Sequence, residues 1–574
     1  MSAPDDCLID RIGWVPVHAG DVTLEVPLRR ALLEGHVLDG LAAESPTLVP
    51  AILRQVLVPV VLAALDGVTA EEWADMLALG RFTDQQAEAI NRYLTEHADA
   101  FRLFDTTRPF GQAAGLEHAH GAVKPVTALT CFTASGANTP LWDIERALFP
   151  QPLRPGAAVQ WMLHTQCWDT GGIKGAAVGD GQAKDGKVYG SQKGALSGMG
   201  VTVPVGRTLF DTIVLNLPLG PRAAGDKPVW EGGPAGPQWV VRRPRGVLDW
   251  LTWQGRRIRL VHQGTDGARV VTGVVLAAGD QWEGGLPEFE PHTCWVNRAV
   301  TTVPKSAKAK PKTETSRFPY RIRPGRAAWR GLDALMAVER TFASSERQTC
   351  LAYETSLLLS QAARAVLVGD LAADYPLRVV TCSMGYDPMG SIVQDVTSDS
   401  MPLPATALCA DFRMRQSVVR VHGQAEALGV AVDRLADHIL LALGGRPEQV
   451  KAGEDPKGQR QSSRLLHLLE PYVTRFLAGC STAPDDEVLD RAHLAFETLV
   501  ERAVLQVAED VLHRLPGEAF NGRVVEEKRG GKDVKVVYRQ VEAERFFRAA
   551  VRRQLTYLYP PTETGKGVEK ELAA

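Results

Sequence analysis

The sequence predicts an α+β protein: a large irregular mixed domain over residues 1–400, followed by a C-terminal four-helix bundle over residues 401–574. Three observations predict it. The first four hundred residues alternate short strand-like and helical runs with Gly and Pro, and no repeat is visible in them. From Pro402-Leu403-Pro404 onward the texture changes, and apolar residues recur every three or four positions. The length of 574 residues allows two or three domains with separate cores.

Residues 49–65 and 71–79 read as helices, the first kinked at Pro59 and the second preceded by Thr69, and residues 84–101 read as another. Between residues 150 and 217 the pattern becomes glycine-rich loops between β-type runs, such as residues 201–205 and 212–217. Residues 256–261 and 269–276 also read as strands. In the C-terminal part, Leu428, Leu435, Ile439 and Ala442 keep one helix face apolar until Gly444-Gly445 ends it. A shorter helix over residues 463–478 follows, and then a seam from Leu489 through Phe496 and Ala503 to Val511. Phe547, Val551, Leu555 and Leu558 mark the last helix, which completes a four-helix bundle in the simplest reading. Residues 451–462 read as an exposed insertion, and residues 523–539 as a β-hairpin turning at Gly530-Gly531. Residues 305–312 read as a Lys/Pro/Ala loop, followed by Arg317, Arg321, Arg323, Arg326 and Arg330.

Apolar residues at 45% and charged residues at 23% describe an ordinary globular protein. A net charge of −3 means that any contact with nucleic acid must come from local basic patches. The eight cysteines are scattered without a CxxC pair, which suggests neither a zinc ribbon nor a redox dithiol. The N-terminal stretch has no basic segment followed by an apolar one, and the longest apolar run, residues 56–65, is too short for a bilayer. These features predict a cytoplasmic protein without a membrane partner.

A search for chemistry returns no catalytic constellation. HExxH, GxxxxGK[ST], GxSxG and calcium-loop patterns are absent. His118 and His120 read as a surface loop rather than a metal site, and Gly194 to Gly200 lacks the dinucleotide fingerprint. No metal and no cofactor is expected. What stands out is the segment from Lys184 to Gly194, with three lysines, a tyrosine, a glutamine and glycines. Glycine lets a backbone approach a groove floor, lysine neutralises phosphates, and Gln or Ser can donate to base edges. A solvated surface loop is the plainer reading of the same composition.

Several blocks, in order, resemble the CasA family, the large subunit of the type I-E CRISPR Cascade. They are Leu8-Ile9-Asp10 with Trp14-Val15-Pro16-Val17, Arg108-Pro109-Phe110-Gly111-Gln112, Ser135-Gly136-Ala137-Asn138 and Thr165-Gln166-Cys167. Gly198-Met199-Gly200-Val201-Thr202, Pro291-His292-Thr293-Cys294 and Met384-Gly385-Tyr386 before Ser391-Ile392 follow. The resemblance implies a non-catalytic subunit that recognises the protospacer-adjacent motif (PAM) in double-stranded DNA, contacts the guide-RNA 5′ handle, helps open the duplex for R-loop formation and recruits the helicase-nuclease. It also implies partners: guide RNA, target DNA, the backbone subunits and the small-subunit dimer.

By that resemblance, Asn138 and Trp142 face the guide-RNA handle, and Val188, Tyr189, Gly190, Ser191 and Gln192 form the loop that reads the motif from the minor groove. Pro388, Met389 and Gly390 are the counterpart of the wedge that starts strand separation. The wedge departs from the family's usual glutamine with a neighbouring asparagine, the glycine loop is less glycine-rich, and no lysine finger is evident at residues 277–280. Lys187, Lys193, Lys305, Lys308, Lys310 and Lys312 are expected to hold DNA phosphates. The competing readings are an unrecognised nucleic-acid-processing enzyme and a scaffold that binds only protein.

Overall fold

The computed structural model describes residues 4–130, 148–265, 267–302, 312–343, 348–410, 412–448, 460–482, 484–513, 515–529 and 532–560. The chain divides into two compact units, Met1–Met401 and Pro402–Ala574.

In the first unit the predicted helices are present, with caps that the sequence explains. Thr69 and Glu72 form a reciprocal capping box at the start of Ala70–Leu79, and Thr83 and Gln86 do the same for Asp84–Glu96. The helix expected to bend at Pro59 is interrupted just before that residue. Leu48–Ile52 and Val58–Ala64 are joined by a π turn over Leu53–Leu57. Wider i→i+5 bonding upstream accommodates a proline that has no N–H and crowds the carbonyl four residues back.

Two expectations for residues 150–217 are corrected. Residues 212–217 are not a strand; Leu209–Leu215 is a short helix capped by the Thr208 side chain. Its apolar run is buried all round, so neither face carries the periodicity that separates helix from strand. Pro155–Trp168 is a 14-residue helix where loops and strands were expected. Its residues are almost all buried, which again erases the amphipathic signal.

Small antiparallel sheets fill the rest of the unit. Strands Arg256–Gln263 and Val270–Ala278 pair in register from Arg256↔Ala278, with an irregularity at Val261/His262. A three-stranded sheet runs in the order Val393–Pro402, Arg378–Tyr386, Val201–Val205. Tryptophans occupy much of the core, where an indole N–H needs an acceptor. Trp73 donates to the Val214 carbonyl at 2.8 Å, Trp168 to that of Thr47 at 3.1 Å, and Trp14 to that of Leu8 at 3.0 Å.

A buried ion pair ties the π turn to the distant PH-x-C segment. Arg54 Nη1 donates to both oxygens of Glu290, at 3.0 and 2.9 Å, and its guanidinium lies over the Trp250 ring. Trp250 Nε1 and the His292 amide also donate to Glu290, at 2.5 and 2.9 Å. Burial pushes the Glu290 carboxyl up, but Arg54 and His292 outweigh it and hold the pKa down to about 2.

The second unit is helical. Arg413–Ala442 packs against Gln461–Cys480, Asp486–Leu512 and Gln540–Gln554, and its buried face includes Leu428, Leu435 and Ile439. Strands Arg523–Arg529 and Lys532–Tyr538 form the expected hairpin. Glu497, fully buried, accepts from Gln424 Nε2 at 2.7 Å and from the Tyr557 and Leu558 amides at 2.8 and 2.9 Å, pinning the chain after the last helix.

Two outcomes follow for stability. Glu290→Ala leaves the Arg54 charge buried and unpaired, which should cost about 3–5 kcal/mol. Arg54→Met with Glu290→Leu should recover most of it, measured as urea midpoints by tryptophan fluorescence; a double variant as unstable as Glu290→Ala would refute this account. The second outcome concerns acid. His164 is fully buried, its Nδ1 has no hydrogen-bond partner, and burial pushes its pKa from 6.5 down to about 3 against the pull of Asp169. The unfolded chain therefore takes up a proton below about pH 6.5 that the folded chain refuses until about pH 3, so stability falls as the pH falls through this window. His164→Phe should flatten the dependence of the thermal midpoint on pH between these values.

Candidate nucleic-acid interface

The lysine- and glycine-rich segment folds as a β-hairpin. Lys187–Ser191 pairs antiparallel with Gly172–Gly175, through Gly175↔Lys187, Lys174↔Val188 and Gly172↔Ser191. The eleven residues that join the two strands, 176–186, end in the tight turn Lys184-Asp185-Gly186-Lys187, closed by Lys184 N to Lys187 O at 2.9 Å and Lys187 N to Lys184 O at 3.0 Å. Asp185 and Gly186 both have positive φ, +49° and +67°, the backbone of a type I′ turn, for which Asp-Gly is a favoured pair. That dipeptide is the sequence signal by which the turn leading into Lys187–Ser191 could have been found. His120 lies against Gly186 and meets the Asp185 carbonyl at 3.0 Å, while His118 lies against Gly175.

The hairpin's two legs are clamped at their base by a residue that sequence reasoning did not single out. Arg256 Nη2 donates to the carbonyls of Thr170 and Gln192, at 2.6 and 2.9 Å, just before and just after the paired strands. Its Nε donates to Asp169 and its Nη1 to the Gly255 carbonyl at 2.5 Å. Lys174 adds an ion pair to Asp169 at 2.8 Å and a bond to Thr170 Oγ1 at 2.9 Å. Burial opposes the Asp169 charge, but Lys174 and Arg256 hold its carboxyl well below the usual range. Lys174 is pushed down to about 8, first by burial, with Asp169 opposing the fall and Arg256 adding to it.

This frame decides which expected motif-reading side chains point outward. Tyr189 is 55% exposed and Gly190 is exposed beside it. Val188 is 2% exposed, packed with Ala176, Trp239 and Ala278. Ser191 is buried and its Oγ has no hydrogen-bond partner. Gln192 commits its amide to Trp282, donating to the carbonyl and accepting from the N–H, both at 2.8 Å. Val188 and Ser191 are three residues apart, so plain alternation would set them on opposite faces; a register irregularity between them, with Gly190 at φ +71°, turns both inward and leaves Tyr189 and Gly190 to solvent. The outward pair is therefore Tyr189 and Gly190.

The expected wedge is the connection between Arg378–Tyr386 and Val393–Pro402, and it lies beside the hairpin's base. Gly171 N donates to the Gly390 carbonyl at 2.7 Å. Asp387 holds the turn by accepting from the amides of Met389, Ser391 and Ile392 at 3.1, 2.6 and 2.7 Å. Burial opposes its charge, and these bonds lower its pKa nonetheless. Met389 projects from this rigid base with 84% of its surface exposed.

Lys193 sits under the turn rather than out in solvent. Its Nζ lies 5.0 Å from the centre of the Tyr386 ring, and a Cβ on Gly390 would meet its Cδ at 2.9 Å. Burial and then Arg321 lower its pKa, while Asp387 raises it. Tyr386 Oη donates to the Trp168 carbonyl at 2.5 Å and lies 2.6 Å from Ser197 Oγ, joining wedge strand and helix end. Lys187 is exposed at the hairpin. Lys312 begins the strand Lys312–Pro319. Asn138, Trp142, Lys305, Lys308 and Lys310 lie outside the described residues. Among the described residues no group of three or more His, Cys, Asp or Glu is placed to hold a metal ion, and no helix is long and apolar enough to cross a membrane.

Comparison with known proteins places the chain in a family. Among solved structures, the chain is similar to the CRISPR-associated protein Cse1 from Acidimicrobium ferrooxidans, at 27% identity and a TM-score of 0.73, over 97% of this chain and 99% of that one. It is similar to Thermobifida fusca Cse1 at 25% identity and a TM-score of 0.75, over 96% and 98%. A chain titled as a CRISPR RNA-guided surveillance complex shares the fold at 19% identity and a TM-score of 0.61, over 89% and 100%. None of the curated proteins matches this sequence. The family model described as CRISPR-associated protein Cse1 matches residues 8–507, most of the 574. The chain belongs to the CRISPR-associated protein Cse1 family.

Proposed function

We propose that the chain is the non-catalytic large subunit of a type I-E Cascade, reading the protospacer-adjacent motif in duplex DNA and starting strand separation beside it. One observation carries the reading: an exposed hairpin edge at Tyr189-Gly190 and an exposed apolar tip at Met389 rise from a shared base. That base is the Gly171–Gly390 hydrogen bond and the Lys193 stem between them. Two projecting elements on one frame suit a task in which one reads a groove while the other enters the stack. Minor-groove edges present a degenerate pattern, so a backbone-rich edge with one aromatic suits several related motifs. An unbranched apolar side chain such as Met389 unstacks a base step at a cost of roughly a few kcal/mol, which a wider DNA interface offsets. Sequence specificity then comes from guide pairing.

In the same reading Lys187 neutralises a phosphate at the hairpin, and Lys193 supports the wedge from beneath as well as adding positive charge. Asn138 and Trp142 face the guide-RNA handle, and the lysines from Lys305 to Lys312 follow the DNA. The assembled complex includes the small-subunit dimer and the backbone subunits, and the subunit recruits the helicase-nuclease. The family resemblance supports these assignments.

Met389→Ala should slow opening of the duplex next to the motif by about tenfold, the rate equivalent of about 1.4 kcal/mol, with initial capture little changed. Stopped-flow fluorescence of 2-aminopurine beside the motif, in the assembled complex at saturating DNA, reads this directly. A target already mismatched over the first base pairs should rescue the variant; equal opening rates on the fully paired target would exclude the wedge. Arg256→Met, which frees both legs of the hairpin, should instead weaken capture and speed amide hydrogen exchange across residues 170–192, leaving exchange in the second unit unchanged. Wild-type exchange across the hairpin would show that the clamp is not needed.

A further inference from the structure

Ile173 meets solvent with 59% of its surface exposed, although isoleucine is among the residue types most often buried. It lies in the strand Gly172–Gly175, and the pairing with Lys187–Ser191 gives it a definite neighbour. Lys174 is opposite Val188 and Gly172 is opposite Ser191, so Ile173 alone faces Tyr189 and Gly190. That count of one residue against two is a β-bulge, and Gly190 supplies the positive φ of +71°. Successive strand residues point to opposite faces. Val188 packs inward and Lys174 turns in to Asp169, so Ile173 and Tyr189 stand side by side on the outer face.

A single exposed apolar side chain needs no explanation, but this one belongs to a set. Opposed strand residues hold their Cβ atoms about 5 Å apart, so Ile173 and Tyr189 make one apolar pad. Gly171, two residues before Ile173, donates to the Gly390 carbonyl, which puts the turn bearing Met389 at one end of the pad. At ~3.3 Å per strand residue the pad begins about 7 Å from that bond, roughly two base steps of ~3.4 Å. Toward the other end Lys184 and Lys187 are exposed, two cations against the one carboxylate of Asp185. A cationic flank beside an apolar pad complements a phosphate backbone beside a groove floor.

In the minor groove an A·T pair shows only acceptors, whereas a G·C pair adds the guanine N2 amino group as a donor. An apolar pad offers that amino group no acceptor and fills the space it needs, and a desolvated donor without a partner is costly. Insertion of a wedge bends the duplex toward the major groove, which opens the minor groove to admit the pad. We propose that Ile173 is a specificity-determining residue: with Tyr189 it rests on the minor-groove floor and selects against a guanine N2 amino group in the motif. The proposal rests on the hairpin being the motif-reading element, and adds to that reading the chemical group that is refused.

The test alters the DNA before the protein. The assembled wild-type complex is offered a duplex whose motif it captures, with each adenine on either strand of the motif replaced in turn by 2,6-diaminopurine, which adds an N2 amino group. Each guanine is replaced in turn by inosine, which removes one. At one or two adjacent pairs diaminopurine should weaken capture on the order of tenfold, and inosine should bind better than a guanine placed there. Ile173→Thr keeps the β-branched shape and supplies an acceptor, so it should shrink the adenine-to-diaminopurine ratio several-fold; Ile173→Val should keep the ratio. Diaminopurine also adds a hydrogen bond to its thymine, an effect that comparing the ratio between wild type and Ile173→Thr cancels. Motif-dependent capture that diaminopurine leaves unchanged at every position, or a ratio unaltered in Ile173→Thr, overturns the proposal while the motif reading stands. Capture with no dependence on the motif overturns both. Native mass spectrometry of the Ile173→Thr complex covers the other occupant: loss of a neighbouring subunit would make the pad a protein contact and overturn the proposal as well. The DNA analogues act on the wild-type complex, so a folding defect can neither produce nor hide their effect.

Discussion

The guanidinium of Arg256 holds the carbonyls of Thr170 and Gln192 on one nitrogen, and the rest of the interface depends on that closure. A short hairpin isolated in water is marginal, because its few ladder bonds scarcely offset the entropy of ordering it. Here the two legs are joined at the base by a buried, charge-assisted network that also holds Asp169 and Lys174. Arg256 donates to three carbonyls and one carboxylate, so hydrogen bonds offset the cost of desolvating the cation. The tip can then be left polar and open while its position stays defined.

The same logic extends outward from the clamp. Gly171, next to Thr170, bonds to the Gly390 carbonyl, so the wedge turn takes its position from the hairpin's base. Lys193, next to Gln192, fills the space beneath Gly390 and stacks on Tyr386. Deeper still, Arg54 and Glu290 tie the helical layer to the PH-x-C segment, on which the strand Val201–Val205 rests through Thr202 N and the His292 carbonyl at 2.7 Å. A chain whose net charge is only −3 thus concentrates cations where they either build the frame or line a surface.

Much of this was legible in the sequence where periodicity or turn chemistry is local. The helices of the second unit, the capped helices after Thr69 and Thr83, and the strands after Gly255 and Arg269 lie where their patterns put them. The fully buried helices Pro155–Trp168 and Leu209–Leu215 did not, because a segment apolar on all sides has no phase to read. Of the residues assigned to motif reading, Tyr189 and Gly190 meet solvent. Val188, Ser191 and Gln192 are taken up by packing or by Trp282, a division that only strand register reveals.

By itself, the sequence determined the α+β class, the change to helices after Pro402, and the ordered blocks that point to the family, because each rests on neighbours close in the chain. Tertiary structure alone decided that Arg256 would hold both legs of a hairpin more than sixty residues away in sequence. It also decided that Met389 would rise beside Tyr189's strand. A guanidinium carries no sequence mark of its partner. Its donors are satisfied by whichever carbonyls the folded backbone brings within reach, and those are settled only when the whole unit packs.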